Sequence, residues 1–139
     1  MWSVYALLTD EAPPIDTAWL MQECTDVFGL RGCTIRQYLL PFTRWPSVDL
    51  RWGDWLARLT YEKSEAVLAD ARTIRELVRD ELPDGASAAA IGRCDRRIRV
   101  VFGDDPGRDY TNHMIEILGL LEDIPGALLF DAERKAWWV

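Results

Sequence analysis

The sequence predicts a single α+β domain, built as two layers from a largely antiparallel sheet and about three helices. Three observations lead to this fold class. The chain has 139 residues, the length of one domain. Its hydrophobic fraction of 49% and charged fraction of 28% are typical of globular proteins. Short strand-like runs and helix-like periodic segments follow one another along the chain, so residues 1–139 are treated as one domain.

The first half of the chain predicts strands around one helix and one loop. Asp16 is placed to cap a helix, and Leu20, Cys24 and Phe28 then fall on one helical face before Gly29. Alternating apolar and polar residues indicate strands elsewhere. The predicted elements are a strand at 2–9, a helix between Asp16 and Gly29, a strand at 33–40, a loop at 41–53 and a strand at 54–62.

The second half predicts two helices, an internal hairpin and a terminal hairpin. The helices span about 65–82 and 108–123, the internal hairpin joins strands at 88–92 and 97–102, and the terminal hairpin turns at 132–135. Three helices of this size can cover one face of a sheet. The opening order β-α-β-β-α-β resembles a ferredoxin-like split.

The charge balance limits the classes of partner. The net charge is −7 and the isoelectric point about 4.7, so nucleic acids and anionic membranes would repel the chain and a basic partner would be attracted. No secretory signal and no apolar run of 18 residues occur, so we expect a cytoplasmic protein of bacterial type. Cys24, Cys33 and Cys94 show no disulfide or zinc spacing and are expected to be reduced.

One cluster could support chemistry. Asp104, Asp105, Asp109 and the single histidine, His113, could share a site for a metal or for acid–base catalysis. The competing interpretation is that acidic residues before a helix cap its free N–H groups. No nucleophile elbow and no phosphate-binding loop occur. We therefore predict a non-enzymatic protein without catalytic residues, metal or cofactor, and keep a small metal-dependent enzyme as an alternative.

Tryptophan is unusually abundant, with seven residues in the chain. Trp45, Trp52 and Trp55 lie with two arginines in a Pro- and Gly-containing segment that is predicted to be a loop. Aromatic and arginine side chains on a loop are typical of binding hot spots. Tryptophan is also highly buried on average, so the same indoles could cap one end of the core.

The Trp-rich segment RWPSVDLRWGDW at 44–55 and the ending GDDPGRDYTNHMIEILGLLEDIPGALLFDAERKAWW at 103–138 together resemble the small acidic immunity proteins encoded beside bacterial polymorphic toxins. The resemblance is one of size, charge and pattern, without a diagnostic motif. It implies a cytosolic, non-enzymatic protein that binds and neutralises one cognate toxin. A small-ligand-binding or dimeric regulatory domain is the other alternative.

For an immunity protein, we expect the toxin to present a basic surface. Asp104, Asp105 and Asp109 would then steer association. Trp45, Trp52 and Trp55 would anchor the complex.

Overall fold

The computed structural model describes residues 1–138, which contain seven strands and four helices. The strands are β1 (Trp2–Leu8), β2 (Thr34–Tyr38), β3 (Ser47–Trp52), β4 (Trp55–Lys63), β5 (Arg96–Phe102), β6 (Ala127–Asp131) and β7 (Ala136–Trp137). The helices are α1 (Thr17–Phe28), α2 (Glu65–Leu77), α3 (Ala88–Ile91) and α4 (Thr111–Glu122).

All seven strands form one sheet in the order β2-β3-β4-β5-β1-β6-β7, and every neighbouring pair is antiparallel. The prediction of a single α+β domain with a largely antiparallel sheet is therefore confirmed. Three strands separate β1 from β2, so the order differs from the ferredoxin-like split expected at the start of the chain.

Alternating residues of β1 serve two separate cores. Val4, Ala6 and Leu8 face the larger core, to which α1 and α4 contribute. Tyr5 and Leu7 face the smaller core, to which α2 and α3 contribute. Because side chains alternate along a strand, the helices must lie on both faces of the sheet rather than on one. The predicted two-layer arrangement thus gains a third layer over part of the sheet.

The second helical layer covers only part of its face. The smaller core takes residues from β1, β6 and β7, and among the described residues it takes none from β2, β3 or β4. On the other face, α1 packs against β2, β3 and β4. One half of the sheet is therefore covered by helix on one side and open on the other.

Two predicted elements are wrong. Residues 47–52, predicted as part of a loop, form β3, because Val48, Leu50 and Trp52 alternate with polar residues and are buried against α1. Residues 88–92, predicted as a strand, contain the short helix α3, because the Ser87 hydroxyl accepts from the Ala90 N–H and starts a turn in an alanine-rich run.

Side-chain hydrogen bonds to backbone N–H groups mark the beginnings of α1, α2 and α3, and α4 has no such cap. The Asp16 carboxylate accepts from the Trp19 N–H at 2.8 Å, which confirms the predicted cap of α1. Helix α4 begins at Thr111, three residues after the predicted start at 108. The residues before it form a loop in which the Asp105 carboxylate accepts from the N–H groups of Asp109 and Tyr110. In residues 1–138, none of the helices combines the length and the apolar character that crossing a membrane requires.

Candidate functional site

The uncovered half of the sheet carries a polar surface, which we call the open face. In β2 to β5, one set of alternating residues is largely apolar and packs beneath α1 and α4. The other set points to the opposite side, where α2 reaches only the border formed by β5. The open face consists of two apolar residues, Leu56 and Val101, and of the polar residues Thr34, Arg36, Tyr38, Ser47, Asp49, Arg51, Arg58, Thr60, Glu62, Arg97 and Arg99. Its five arginines outnumber its two carboxylates, although the chain as a whole is acidic.

A bidentate ion pair lies at the centre of the open face. Arg58 donates from Nε and Nη2 to the two carboxylate oxygens of Asp49, each at 2.8 Å, across the β3–β4 pair. Asp49 is only 5% exposed, and its hydrogen bonds to Arg58 raise the pKa of that guanidinium. Two parallel N–H···O bonds fix the plane of the arginine. The Arg58 guanidinium is therefore held in a fixed orientation at the centre of the face.

A second ion-pair network ties the open face to α2. Arg97 is 7% exposed and donates to Glu62 at 2.8 Å and to Asp70 of α2 at 2.7 Å. Burial acts to lower the pKa of Arg97, but the hydrogen bonds to both carboxylates outweigh it and raise that pKa. The guanidinium also lies over the Tyr5 ring, 4.5 Å from its centroid. This network marks the border between the covered and the open half.

Two arginines of the open face are exposed and can bind a carboxylate of another molecule. Arg36 and Arg51 are exposed, and neither forms an ion pair within residues 1–138. With Thr34, Tyr38 and Asp49 they line a shallow cleft of about 220 Å³. Guanidinium groups held on a rigid sheet can accept carboxylates in a planar, bidentate geometry.

Two exposed apolar side chains lie on the loop between β2 and β3, the two strands that line this cleft. Leu39 is 65% exposed and Phe42 is fully exposed. Phe42 has a φ of 63°, a left-handed conformation that costs about 1–2 kcal/mol for an L-residue. The turn is held by Thr43, whose N–H and hydroxyl both donate to the Leu40 carbonyl. The loop thus presents two apolar side chains to solvent beside a strained backbone position.

The open face and this loop carry residue types that are common in protein interfaces. Exposed aromatic, aliphatic and arginine side chains are the residue types that supply most binding energy in protein interfaces. Both carboxylates of the open face are already engaged by arginines. The arrangement can therefore hold an acidic and apolar surface patch.

Of the predicted anchors, Trp52 and Trp55 lie in the core. They are 6% and 3% exposed, and their indole N–H groups donate to the carbonyls of Arg31 and Gly103. They stack on His113 and Tyr110, with ring centroids 4.2 Å and 5.0 Å apart. The interpretation of these two residues as caps of the core agrees with the structure, and as buried groups they are not accessible to a partner.

Trp45 lies apart from the other two tryptophans. It packs edge-on against Tyr61, just before β3, whereas Trp52 and Trp55 flank the turn at the far end of the β3–β4 hairpin. A six-residue strand separates these ends by about 20 Å. Trp45 is half-buried and borders the loop that carries Phe42. The structure therefore splits the predicted tryptophan cluster.

The predicted acidic residues keep their place at the surface. The side chain of Asp104 is 77% exposed and pairs with the amino terminus, and Asp109 is exposed. Asp105 is occupied as a cap of the loop. These three residues lie near the turn between β3 and β4, at the end of the sheet away from Trp45.

The alternative of a metal-dependent enzyme gains no support from this arrangement. His113 is stacked on Trp52, and Asp105 accepts backbone N–H groups. Within residues 1–138, no three His, Cys, Asp or Glu side chains come together in a way that could hold a metal ion. A comparison of the chain with protein families, with curated proteins and with solved structures finds no match.

No local pattern in the sequence marks Leu39, Phe42 or Arg36 as exposed, or Arg51 as free of an ion pair. Leu39 falls at the end of the strand predicted at 33–40, where an apolar residue is expected to be buried. A signal for the open face was present in the alternation of β3, whose odd positions are Ser47, Asp49 and Arg51. Their polarity indicates a side of the sheet without a covering helix.

Proposed function

We propose that this protein is a non-enzymatic protein-binding domain, and most concretely an immunity protein that binds and neutralises a cognate toxin in the bacterial cytoplasm. One observation carries the proposal: Leu39 and Phe42 are solvent-exposed on the loop that joins β2 to β3, the two strands that carry Arg36 and Arg51. Large exposed apolar side chains on a loop between arginine-bearing strands favour a protein partner over a small substrate.

The open face supports high affinity because it is already ordered. Asp49 and Glu62 hold Arg58 and Arg97 in place, so little side-chain entropy is lost there on binding. Arg36 and Arg51 remain to pair with carboxylates of the partner. Phe42 and Leu39 would enter an apolar recess, and Tyr38, 42% exposed, would pack beside them.

The charge of the partner follows from two separate surfaces. The acidic loop around Asp104 and Asp109 and the net charge of −7 attract a basic molecule over a distance. The open face is locally basic and complements an acidic patch in direct contact. We therefore propose a toxin that is basic overall and carries an acidic patch where it meets the open face and an apolar patch where it meets Phe42.

The test is affinity capture from a lysate of the native host with tagged wild-type protein and two single variants. Phe42→Ser removes the fully exposed phenylalanine, and Leu30→Ser removes an equally exposed leucine outside the open face. Wild type and Leu30→Ser should each recover the same protein in near-equal amount, and Phe42→Ser should not. Equal recovery by all three would contradict the assignment of the surface.

The immunity function is tested with the protein recovered. Its expression alone should stop bacterial growth, and co-expression of the wild-type chain, but not of Phe42→Ser, should restore it. A recovered protein without toxicity would refute neutralisation while leaving protein binding intact. If wild type recovers nothing from cells shown to express the neighbouring genes, the proposal of a protein partner is wrong.

A further inference from the structure

A cavity of about 480 Å³ lies at the end of the sheet where β1 begins and β6 ends. It is lined by Trp2 and Trp138 from the sheet side and by Met114, Ile115 and Leu118 of α4. It belongs to a different part of the molecule from the open face. Its walls are mostly apolar, and Ile115 at its mouth is 54% exposed.

A buried carboxylate lines this cavity. Asp131 is 2% exposed, and its Oδ1 accepts from the N–H groups of Glu133 and Arg134 at 3.0 Å and 3.1 Å. Its Oδ2 is also buried and has no hydrogen-bond donor among residues 1–138. Arg134 approaches Oδ2 only to 3.8 Å, and its side chain is 81% exposed. A buried carboxylate oxygen without a partner is costly, and a native protein normally satisfies it.

The two indoles give the cavity a preference for cations. Trp2 and Trp138 lie 5.5 Å apart between ring centroids and are tilted by 55°, so they form a corner rather than a stack. Indole faces attract cations, and the attraction grows when the cation is desolvated. The dipole of α4, which begins at Thr111 in this wall, and the guanidinium of Arg134 oppose a cation, but the Arg134 side chain is 81% exposed, and the carboxylates of Asp131 and Glu133 leave the lining with a net negative charge.

We propose that this cavity binds a small primary ammonium ion with an apolar tail. The ammonium group takes the place of the exposed Arg134 guanidinium beside Asp131, donates a hydrogen bond to Oδ2 and contacts Trp2 and Trp138. The tail lies along Met114, Leu118 and Ile115 and covers the exposed side chain of Ile115. A quaternary ammonium ion fits less well, because it has no N–H to donate to Oδ2. This inference does not rest on the protein-binding proposal and concerns a separate site.

Isothermal titration calorimetry of the full chain with phenethylamine tests the proposal, with 2-phenylethanol as the uncharged control of similar size. We expect saturable binding of phenethylamine with a dissociation constant below about 1 mM and binding of the alcohol at least about tenfold weaker. Equal binding of the two compounds, or no saturable binding of phenethylamine, would overturn the proposal.

Two variants distinguish binding by the buried Asp131 carboxylate from attraction to any nearby negative charge. Asp131→Asn keeps an oxygen for the N–H groups of Glu133 and Arg134 and should weaken phenethylamine binding at least about tenfold, whereas Glu133→Gln at the rim should change it by less than about threefold. If Asp131→Asn does not fold by circular dichroism, Thr111→Arg at the exposed start of α4 introduces a competing cation into the wall and should abolish binding. Unchanged binding in the folded variant would refute the site.

Discussion

Trp52 and Trp55, two of the three tryptophans predicted to anchor a partner, are buried in the core. Trp52 and Trp55 are paired across the hairpin and are each satisfied by one carbonyl acceptor. A tryptophan buried with its N–H bonded contributes both apolar area and a hydrogen bond. From the sequence alone, these residues could lie in an interface or in the core. The loop-like composition around them predicts exposure, whereas the usual burial of tryptophan predicts a place in the core.

Trp55→Phe should destabilise the fold by about 2–3 kcal/mol, since it leaves a small cavity and removes the donor to the Gly103 carbonyl. Trp45→Phe is the matched control. Trp45 is half-buried and its indole nitrogen makes no hydrogen bond within residues 1–138, so less than about 1 kcal/mol is expected. Urea unfolding followed by circular dichroism measures both. A larger loss for Trp45→Phe would contradict the assignment of Trp55 to the core.

The two buried cysteines should make the free energy of unfolding depend on pH in the alkaline range. Burial raises the pKa of Cys24 to about 12 and that of Cys94 to about 11, from an ordinary value of 9.0. Above pH 9 the unfolded chain loses these two protons before the folded chain does. The free energy of unfolding should therefore fall as pH rises, by about 1.4 kcal/mol per pH unit for each thiol.

Denaturant unfolding between pH 8 and about pH 10.5 measures this slope. Cys94→Ala should remove the contribution of one thiol and leave that of Cys24. The same slope in wild type and variant would show that Cys94 does not titrate with a raised pKa. Native labelling with a thiol reagent gives an independent check, because only Cys33 is partly accessible and should react first.

At the scale of the elements, two turns depend on glycine for different reasons. Gly53 closes the two-residue β3–β4 turn with a φ of 57°, and a Cβ there would meet only the Tyr110 hydroxyl at 3.6 Å. Gly126 precedes β6 with a φ of 76°, and a Cβ there would lie 2.6 Å from the Thr9 hydroxyl and 2.7 Å from the Ala12 nitrogen. The first turn needs only a left-handed backbone, and the second also needs space.

Gly53→Ala should cost about 1–2 kcal/mol, the strain of a left-handed L-residue. Gly126→Ala should cost more, about 3 kcal/mol or above, because the new methyl group collides with backbone and disturbs the bond from the Thr9 hydroxyl to the Gly126 carbonyl. Thermal unfolding of the two variants side by side gives the order. An equal loss of stability would mean that residues 9–12 can move away from the new methyl group without lowering the free energy of unfolding.

Most elements were predictable because each carries a local signal. The strands 2–8 and 55–63 and the helix after Asp16 follow from periodicity and caps. Strand β3 was missed because its alternation stands between Pro46 and Gly53, which indicate a loop when read alone. Residues 88–92 were misassigned because a one-turn helix is too short to show a helical period.

At the scale of the whole molecule, strand order decides which residues meet, and it is not encoded locally. The chain returns from β5 to pair with β1, and later inserts β6 on the other side of β1. This order places helices on both faces and leaves β2 to β4 uncovered on one of them. The open face was therefore not predictable from any single segment, although the polar alternation that lines it was present in the sequence.

The same topology couples the two cores, because β1 supplies alternate residues to both. Leu7→Ala removes a fully buried side chain from the smaller core and should cost about 2–5 kcal/mol. Although Trp52 and Trp55 lie in the larger core, tryptophan fluorescence and far-ultraviolet circular dichroism should shift together and report one transition. Two cores that unfolded separately would give a biphasic transition, because Trp137 packs against the smaller core whereas Trp52 and Trp55 lie in the larger one. Such a result would mean that the shared strand does not make the sheet a single cooperative unit.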